Sequence, residues 1–404
     1  MEIMNTLIQN GLLVLPEGIR PGWILLREGQ ILDMGTDSPV PPEDGLGLDP
    51  EETEIVDAKG LYVAPGFIDL HTHGAGGADF MDGTVEAYLT AARMHARHGT
   101  TLLFPTTLTS TNELLFASFD TYAEALPLSG RDGAAFGGMH LEGPYFSPSM
   151  AGAQDPRYLR DPKPEEYLDI ISRTPHIARW SFAPERPGAP AFAAELRVHG
   201  IVPSIAHTNA TFADCDAAFK AGCSLMTHFY SCMSTITRRN AFRIAGTVEY
   251  GYYQDGMDIE IIGDGIHVCA DLLKLVVKIK GPEHIVLVTD SMRAAGMPEG
   301  PSILGGLSDG QKVIVEDGVA KLPDRSAFAG SVATADRLVR TMVREGGVSL
   351  ETAVGMATAN PARIMGLDGR KGALRKGFDA DVVIFDKDIR ISRTIVKGKT
   401  VYSC

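Results

Sequence analysis

The chain has 404 residues, 44% hydrophobic and 22% charged, which excludes a disordered chain and fits a barrel of roughly 250 residues beside a smaller domain. A formal net charge of −14 lacks the basic footprint of a nucleic-acid binder, although a few local cations can still receive an anionic small molecule. The five cysteines, none in a C-x-x-C pair, argue against a disulfide framework or a thiolate zinc site and fit a reducing cytoplasm.

In chain order, the start from Met1 to Asn5 carries no basic leader, and no later segment reaches the ~18 apolar residues of a membrane span, so a cytoplasmic protein with no membrane partner is expected. Leu12 to Leu15, Trp23 to Arg27 and Gln30 to Met34 read as short strands, the last two joined by a Glu28-Gly29 turn. Ser38 to Glu54 is rich in Pro, Glu and Gly and reads as a loop. Apolar runs then follow at Phe67–His73, Thr100–Leu108, Ala134–Pro144, Trp180–Glu185, Ile201–Asn209, Cys223–Tyr230, Ile259–Val268 and Ile285–Met292. Helical patterns at Val85–His98, Asn112–Leu126, Phe212–Ala221 and Ala270–Lys280 separate several of them. Alternating strands and helices imply parallel βαβ units, and eight runs predict an α/β fold with a closed (β/α)8 barrel; an open doubly wound sheet is the alternative.

After the last run, Lys312–Leu322 reads as a hairpin turning at Asp317-Gly318, and Thr334–Glu345 and Leu350–Ile364 read as closing helices. Asp381 to Asp386 and Ile391 to Val396 return to strand, with a turn at Gly398. Domain termini often lie close together. The two ends, 1–60 and 368–404, are therefore expected to form one small β-sandwich domain beside a barrel at 61–367, with the hairpin excursion near 311–323.

Polar residues gather where the runs end: His71 and His73 on the first, Glu142 on the third, His207 on the fifth, His228 on the sixth and Asp290 on the eighth, with His267 at the close of the seventh. In a barrel those ends share the rim where active sites sit. Imidazole and carboxylate suit a divalent ion such as zinc, iron or manganese. His71 and His73 stand two apart, so on a strand both point to one face. Singly, each has a plainer reading: a polar strand end for the pair, buried hydrogen-bonded histidines for His207 and His228, a turn cap for Glu142. Their joint placement favours the metal. Asp290 is the choice for the carboxylate that takes a proton from water and returns it to a leaving amine. His95 and His98 lie in a helical pattern and are expected to be partly exposed; His140 reads as an interior barrel residue. No Gly-x-Ser-x-Gly elbow supports serine chemistry.

Pro65-Gly66-Phe67-Ile68-Asp69-Leu70-His71-Thr72-His73-Gly74 resembles the first-strand signature of the amidohydrolase superfamily. Leu141-Glu142-Gly143-Pro144-Tyr145, Ala206-His207-Thr208-Asn209-Ala210-Thr211, Thr227-His228-Phe229-Tyr230, Asp264-Gly265-Ile266-His267 and Val288-Thr289-Asp290-Ser291-Met292 narrow the resemblance to the N-acetylglucosamine-6-phosphate deacetylase family, over nearly the whole chain. The resemblance implies hydrolysis of an acetylated amino-sugar phosphate. Glu142, His207 and His228 match the main metal ligands, and His71 with His73 can hold a second ion. Asp290 matches the catalytic acid/base and a possible ligand, and His267 a residue at the reacting amide. Ala153, Gln154, Ser231, Cys232, Phe328, Ala329 and Gly330 fall at substrate-facing positions. Arg239 falls where the family has an arginine for the sugar phosphate, often across the interface of a homodimer, and a homodimer is what the resemblance implies here.

The departures lie on the substrate side. The family pattern His-Leu-Tyr/Phe-Asn-Ala-Met is here His228-Phe229-Tyr230-Ser231-Cys232-Met233, Arg-Glu-Pro-Gly becomes Arg239-Asn240-Ala241-Phe242, and Gln154 replaces a histidine of many members. Arg238-Arg239 also reads as a solvated pair. A different N-acyl sugar or an N-acyl amino acid is the alternative substrate, and a non-catalytic assembly protein on the same scaffold is a remote one.

Overall fold

The computed structural model describes residues 5–40, 46, 48–49 and 51–404. The start of the chain through residue 4, and positions 41–45, 47 and 50 of the expected loop, lie outside the described residues. That loop also ends earlier than its composition suggests, because Thr53–Asp57 is a strand.

Phe67–Thr72, Thr100–Thr107, Met139–Glu142, Ile177–Phe182, Val202–Ile205, Leu225–Met226, Asp258–Ile262 and Ile285–Val288 pair in chain order, every pair parallel. The eighth strand meets the first just beyond its own end. Asp290 N–H donates to the His71 carbonyl at 2.8 Å, and His73 N–H to the Ser291 carbonyl at 2.8 Å. The sheet is thus a nearly closed barrel rather than an open one.

The strand bounds differ from the apolar runs for local reasons. Ala134–Pro144 divides into Ala135–Phe136 and Met139–Glu142, both paired with the second strand. Gly138 between them has a φ of 127°, and a Cβ on Gly137 would meet the Phe104 ring at 2.5 Å. The run at Cys223–Tyr230 keeps only Leu225–Met226 as strand, since His228 and Tyr230 turn into left-handed backbone. The fourth strand begins at Ile177, before the run that signalled it.

Helices Val85–Arg97, Asn112–Ala125 and Phe212–Lys220 open on Thr84, Thr111 and Thr211, whose hydroxyls accept the N–H groups of Ala87, Leu114 and Asp214. Their apolar faces cover the outside of the barrel, where Tyr88, Phe119, Trp180, Phe192, Ile261 and Leu338 share one buried cluster. The excursion after the eighth strand is larger than one hairpin: Gly300–Leu304, Gln311–Glu316 and Val319–Lys321 form a three-stranded antiparallel sheet. Asp317 and Gly318, both at positive φ, make its expected turn. The second closing helix is two helices, Leu350–Ala357 and Ala359–Ile364. Pro361 explains the break, because its ring would clash with the Ala357 carbonyl in a continuous helix.

Both ends of the chain build one eight-stranded sheet. Asn5–Leu15 runs antiparallel to Gly18–Arg27, and parallel to Thr53–Asp57 and then to Tyr62–Pro65. Tyr62–Pro65 in turn takes Val382–Phe385 from the other end of the chain. Ile8, Ile24, Ile31, Val63, Val382 and Ile395 fill its core. No helix among the described residues is long and apolar enough to cross a membrane.

Candidate metal centre

Alternation along the strands aims one side chain in two into the barrel. It delivers His71 and His73 from the end of the first strand and Glu142 from the end of the third. His207, His228 and Asp290 each lie just past a strand, in left-handed backbone with φ of 43°, 35° and 46°. Such conformations cost about 1–3 kcal/mol each and persist where surrounding bonds fix them. Here Ser147 N–H donates to the His207 carbonyl at 2.9 Å, and Ser331 N–H to the Asp290 carbonyl at 2.7 Å.

The donor atoms form two triangles. His207 Nε2 and His228 Nε2 are 3.1 Å apart and lie 3.3 and 3.0 Å from Glu142 Oε1. His71 Nε2 and His73 Nε2 are 3.3 Å apart, and each lies 3.3 Å from Asp290 Oδ1. Glu142 joins the triangles, its Oε1 3.6 Å from His71 Nε2 and its Oε2 3.3 Å from His73 Nε2. Ligands at ~2.0 Å around a tetrahedral zinc are separated by about 3.3 Å, so either triangle fits the face of such a site. A divalent ion placed at either triangle would accept the lone pairs of both ring nitrogens and the carboxylate oxygen together.

The electrostatics agree. Burial disfavours the charged rings, yet Asp290 and Glu142 outweigh it and raise His71 to about 9 and His73 to about 10. Burial likewise opposes ionisation of Glu142, but the surrounding histidines hold its carboxyl well below the usual range. The cluster is a buried, strongly cation-seeking pocket.

A cavity opens over it, lined by His73, Glu142, His207, His228, His267 and Asp290, and by Ala153, Gln154, Ser231, Cys232, Phe328 and Gly330. Gln154 is buried: its Nε2 donates to Glu142 Oε2 at 2.7 Å, and its Oε1 accepts Thr109 N–H at 2.9 Å. His267 Nδ1 lies 2.8 Å from Asp264 Oδ2, which leaves Nε2 as the ring's other polar edge. Two of the residues drawn from the resemblance stand apart. Ala329 is buried and pairs through its N–H with the Ala320 carbonyl. Arg239 lies on an exposed hairpin, Thr237–Arg239 with Phe242–Ile244, away from the cavity lining.

Below the donors the barrel interior is polar, and the sequence reading passed over most of it. Arg179, Ser181, Thr227 and Glu260 are fully buried and linked. His140 is interior as expected, its Nε2 2.7 Å from Ser181 Oγ. The signal was present as polar residues two apart with an apolar residue between them, in His140-Leu141-Glu142, Arg179-Trp180-Ser181 and Asp258-Ile259-Glu260. His95 is a correction: it is buried rather than partly exposed, because its Nε2 lies 2.9 Å from Thr72 Oγ1 and 3.4 Å from Ser291 Oγ where the barrel closes. Burial lowers it to about 3, so the ring is neutral.

The family model described as "Amidohydrolase family" matches residues 62–401. An N-acetylglucosamine-6-phosphate deacetylase of Lysinibacillus sphaericus is 33% identical over 85% of this chain and 86% of its own length. An N-acetylgalactosamine-6-phosphate deacetylase of Escherichia coli O157:H7 is 32% identical over 88% and 92%. Among solved structures, a substituted N-acetyl-D-glucosamine-6-phosphate deacetylase of Mycobacterium smegmatis, in complex with N-acetyl-D-glucosamine-6-phosphate, superposes with a TM-score of 0.88 at 30% identity over 100% of both chains. With a cation-seeking donor cluster at the rim of a parallel barrel, and a family match from the terminal sheet through the barrel and back, the chain belongs to the amidohydrolase family, on the branch of the amino-sugar 6-phosphate deacetylases.

Proposed function

We propose that this protein hydrolyses the N-acetyl amide of an amino-sugar 6-phosphate, with N-acetylglucosamine 6-phosphate as first substrate, to acetate and the free amine. The observation that carries the reading is the pair of donor triangles, bridged by the Glu142 carboxylate, beneath one cavity. Glu142, His207 and His228 would hold one divalent ion (zinc, iron or similar), and His71, His73 and Asp290 a second. Such an ion lowers the pKa of water from ~15.7 to ~7 and polarises the amide carbonyl.

The chain's own groups do the rest. Asp290 borders both the His71/His73 donors and the cavity, so its carboxylate takes the proton from the attacking water and delivers it to the departing nitrogen. Asp264 fixes the His267 ring, whose free edge orients the amide. Gln154 holds Glu142 while Ala153, Ser231, Cys232, Phe328 and Gly330 contact the sugar. Ala329 supports that wall from behind.

Arg239 completes the site from a second subunit by holding the phosphate, for which a guanidinium offers paired donors. Its hairpin supports this reading. It is exposed, and Ile236, Phe242 and Tyr253 nearby in sequence are 56%, 77% and 70% exposed, apolar surface suited to a homodimer contact. The same reading makes the protein a cytoplasmic enzyme of amino-sugar metabolism, with no nucleic-acid or membrane partner.

One observation favours a second substrate. Ser231 and Cys232, the departures from the family pattern, both line the cavity, so N-acetylgalactosamine 6-phosphate or another N-acyl sugar is the alternative. Acetate release by the metal-replete enzyme from both acetylhexosamine 6-phosphates and both unphosphorylated sugars tests the proposal. Release from a phosphorylated sugar alone is expected. Release from none of the four would remove this substrate class.

A further inference from the structure

Behind the donor cluster, Glu260 stands at the centre of the barrel interior, fully buried on the seventh strand. Its Oε1 accepts from Arg179 Nη1. Its Oε2 accepts His228 N–H at 3.4 Å and lies 3.7 Å from His71 Nδ1. Arg179, also fully buried, is held in turn by the Leu70 carbonyl at 3.2 Å and Thr227 Oγ1 at 3.0 Å.

The four donor imidazoles differ in what lies behind them. His73 Nδ1 faces the Thr106 carbonyl at 3.3 Å and His207 Nδ1 the Met150 carbonyl at 2.9 Å. Among the described residues, His71 Nδ1 and His228 Nδ1 have no hydrogen-bond partner at normal length. Only His71 has a carboxylate facing that nitrogen. A neutral imidazole carries one proton, and a metal takes the nitrogen without it. His71 Nε2 is the atom in the donor triangle, so its proton belongs on Nδ1, where a carboxylate stabilises it.

We infer that Glu260, backed by Arg179, is a positioning residue that holds His71 as the Nδ1–H tautomer and so keeps the His71, His73 and Asp290 triangle competent for a divalent ion. This rests on the metal reading of the cluster. Arg179 has a defined part: a lone carboxylate at this depth would be strongly disfavoured, and the guanidinium keeps it charged without touching the ion site. Carboxylates behind metal-bound histidines change metal affinity by 10–100-fold. By its contact with the His228 N–H, Glu260 also ties the backbone of the other triangle to the same group.

The test is zinc binding by the full-length protein after metal removal, comparing wild type, His71→Ala and the double variant Arg179→Met/Glu260→Met. The double variant removes both buried charges together and should keep a thermal midpoint near that of the metal-free wild type. It should still lose 10–100-fold in affinity for the zinc that His71→Ala loses, and keep the zinc held by Glu142, His207 and His228. A stable double variant with wild-type zinc affinity overturns the inference, as does a wild type whose zinc content His71→Ala leaves unchanged. A wild type that takes up no zinc at all overturns the metal reading itself. One measurement needs no variant to fold: in zinc-loaded wild type labelled with 15N-histidine, His71 should be protonated at Nδ1 and coordinated through Nε2. An Nε2-protonated His71 refutes the role of Glu260.

Discussion

Asp290 carries the heaviest demand at the scale of single residues, because it stands both in a donor triangle and on the cavity wall. An amide in its place keeps an oxygen for the ion but cannot accept a proton. Asp290→Asn should therefore retain metal and lose about 10²–10⁴-fold in turnover, read by metal analysis beside acetate release. Near-normal turnover would assign the proton transfer to another group. His71, His73, Glu142, His207, His228 and Asp290 were legible as a set because each is a ligand-type residue at the end of an apolar run. Glu260 and Arg179 were marked only by alternation with apolar neighbours, a weaker signal. A charged residue inside a strand reads as solvent-facing unless the strand is known to be covered on both sides, and only barrel closure covers it. The burial of His95 is hidden from the sequence for a related reason: helical spacing says which residues share a face, but not that the face meets the Thr72–Ser291 closure.

Between elements, the aim of each strand end depends on how tightly its neighbours pack. Glu142 follows the Gly137-Gly138 break, where a Cβ on Gly137 would fall 2.5 Å from Phe104. Gly137→Ala should push the third strand off the second, costing about 1–3 kcal/mol of stability and weakening metal affinity with it. Unfolding curves and zinc titration of the variant check both, and unchanged affinity at lowered stability would separate the break from the site. Asp336, opening the helix Ala335–Thr341, joins His98 at 3.0 Å and Arg340 at 3.0 Å. Burial pushes its carboxyl up, but His98, Thr334 and Arg340 hold it below its usual 3.8. A depressed carboxylate stabilises the fold above its unfolded pKa of ~3.9, and that contribution is lost as pH falls through the lower folded value. Asp336→Asn should therefore be less stable than wild type by roughly 1.5–3 kcal/mol at pH 7, with the gap closing in acid below about pH 4. A gap that does not change with pH would remove the ion pair as its cause. The eight strands were readable from apolar runs, but their ends were not. Left-handed turns at His207, His228 and Asp290 depend on bonds from distant segments, and local composition carries no trace of them.

Across the whole molecule, the exposed hairpin around Arg239 is where the proposed dimer contact and the proposed phosphate site coincide. If a second copy covers it, Phe242→Asp should shift the protein from dimer to monomer in sedimentation and raise KM for a phosphorylated substrate, leaving zinc content unchanged. A dimer that persists with unaltered KM would detach Arg239 from the phosphate. The α/β alternation, the strand character of both ends and the ligand-type residues closing the apolar runs were readable in the chain alone, because periodicity, turn residues and side-chain chemistry are local properties. Local pattern could not decide that the barrel closes through Asp290 on His71, that Glu142 stands between two triangles, or that the buried Arg179–Glu260 ion pair lies behind one of them. Those features are distances between segments more than two hundred residues apart at the extreme, and they exist only once the parallel strands have packed around a common axis.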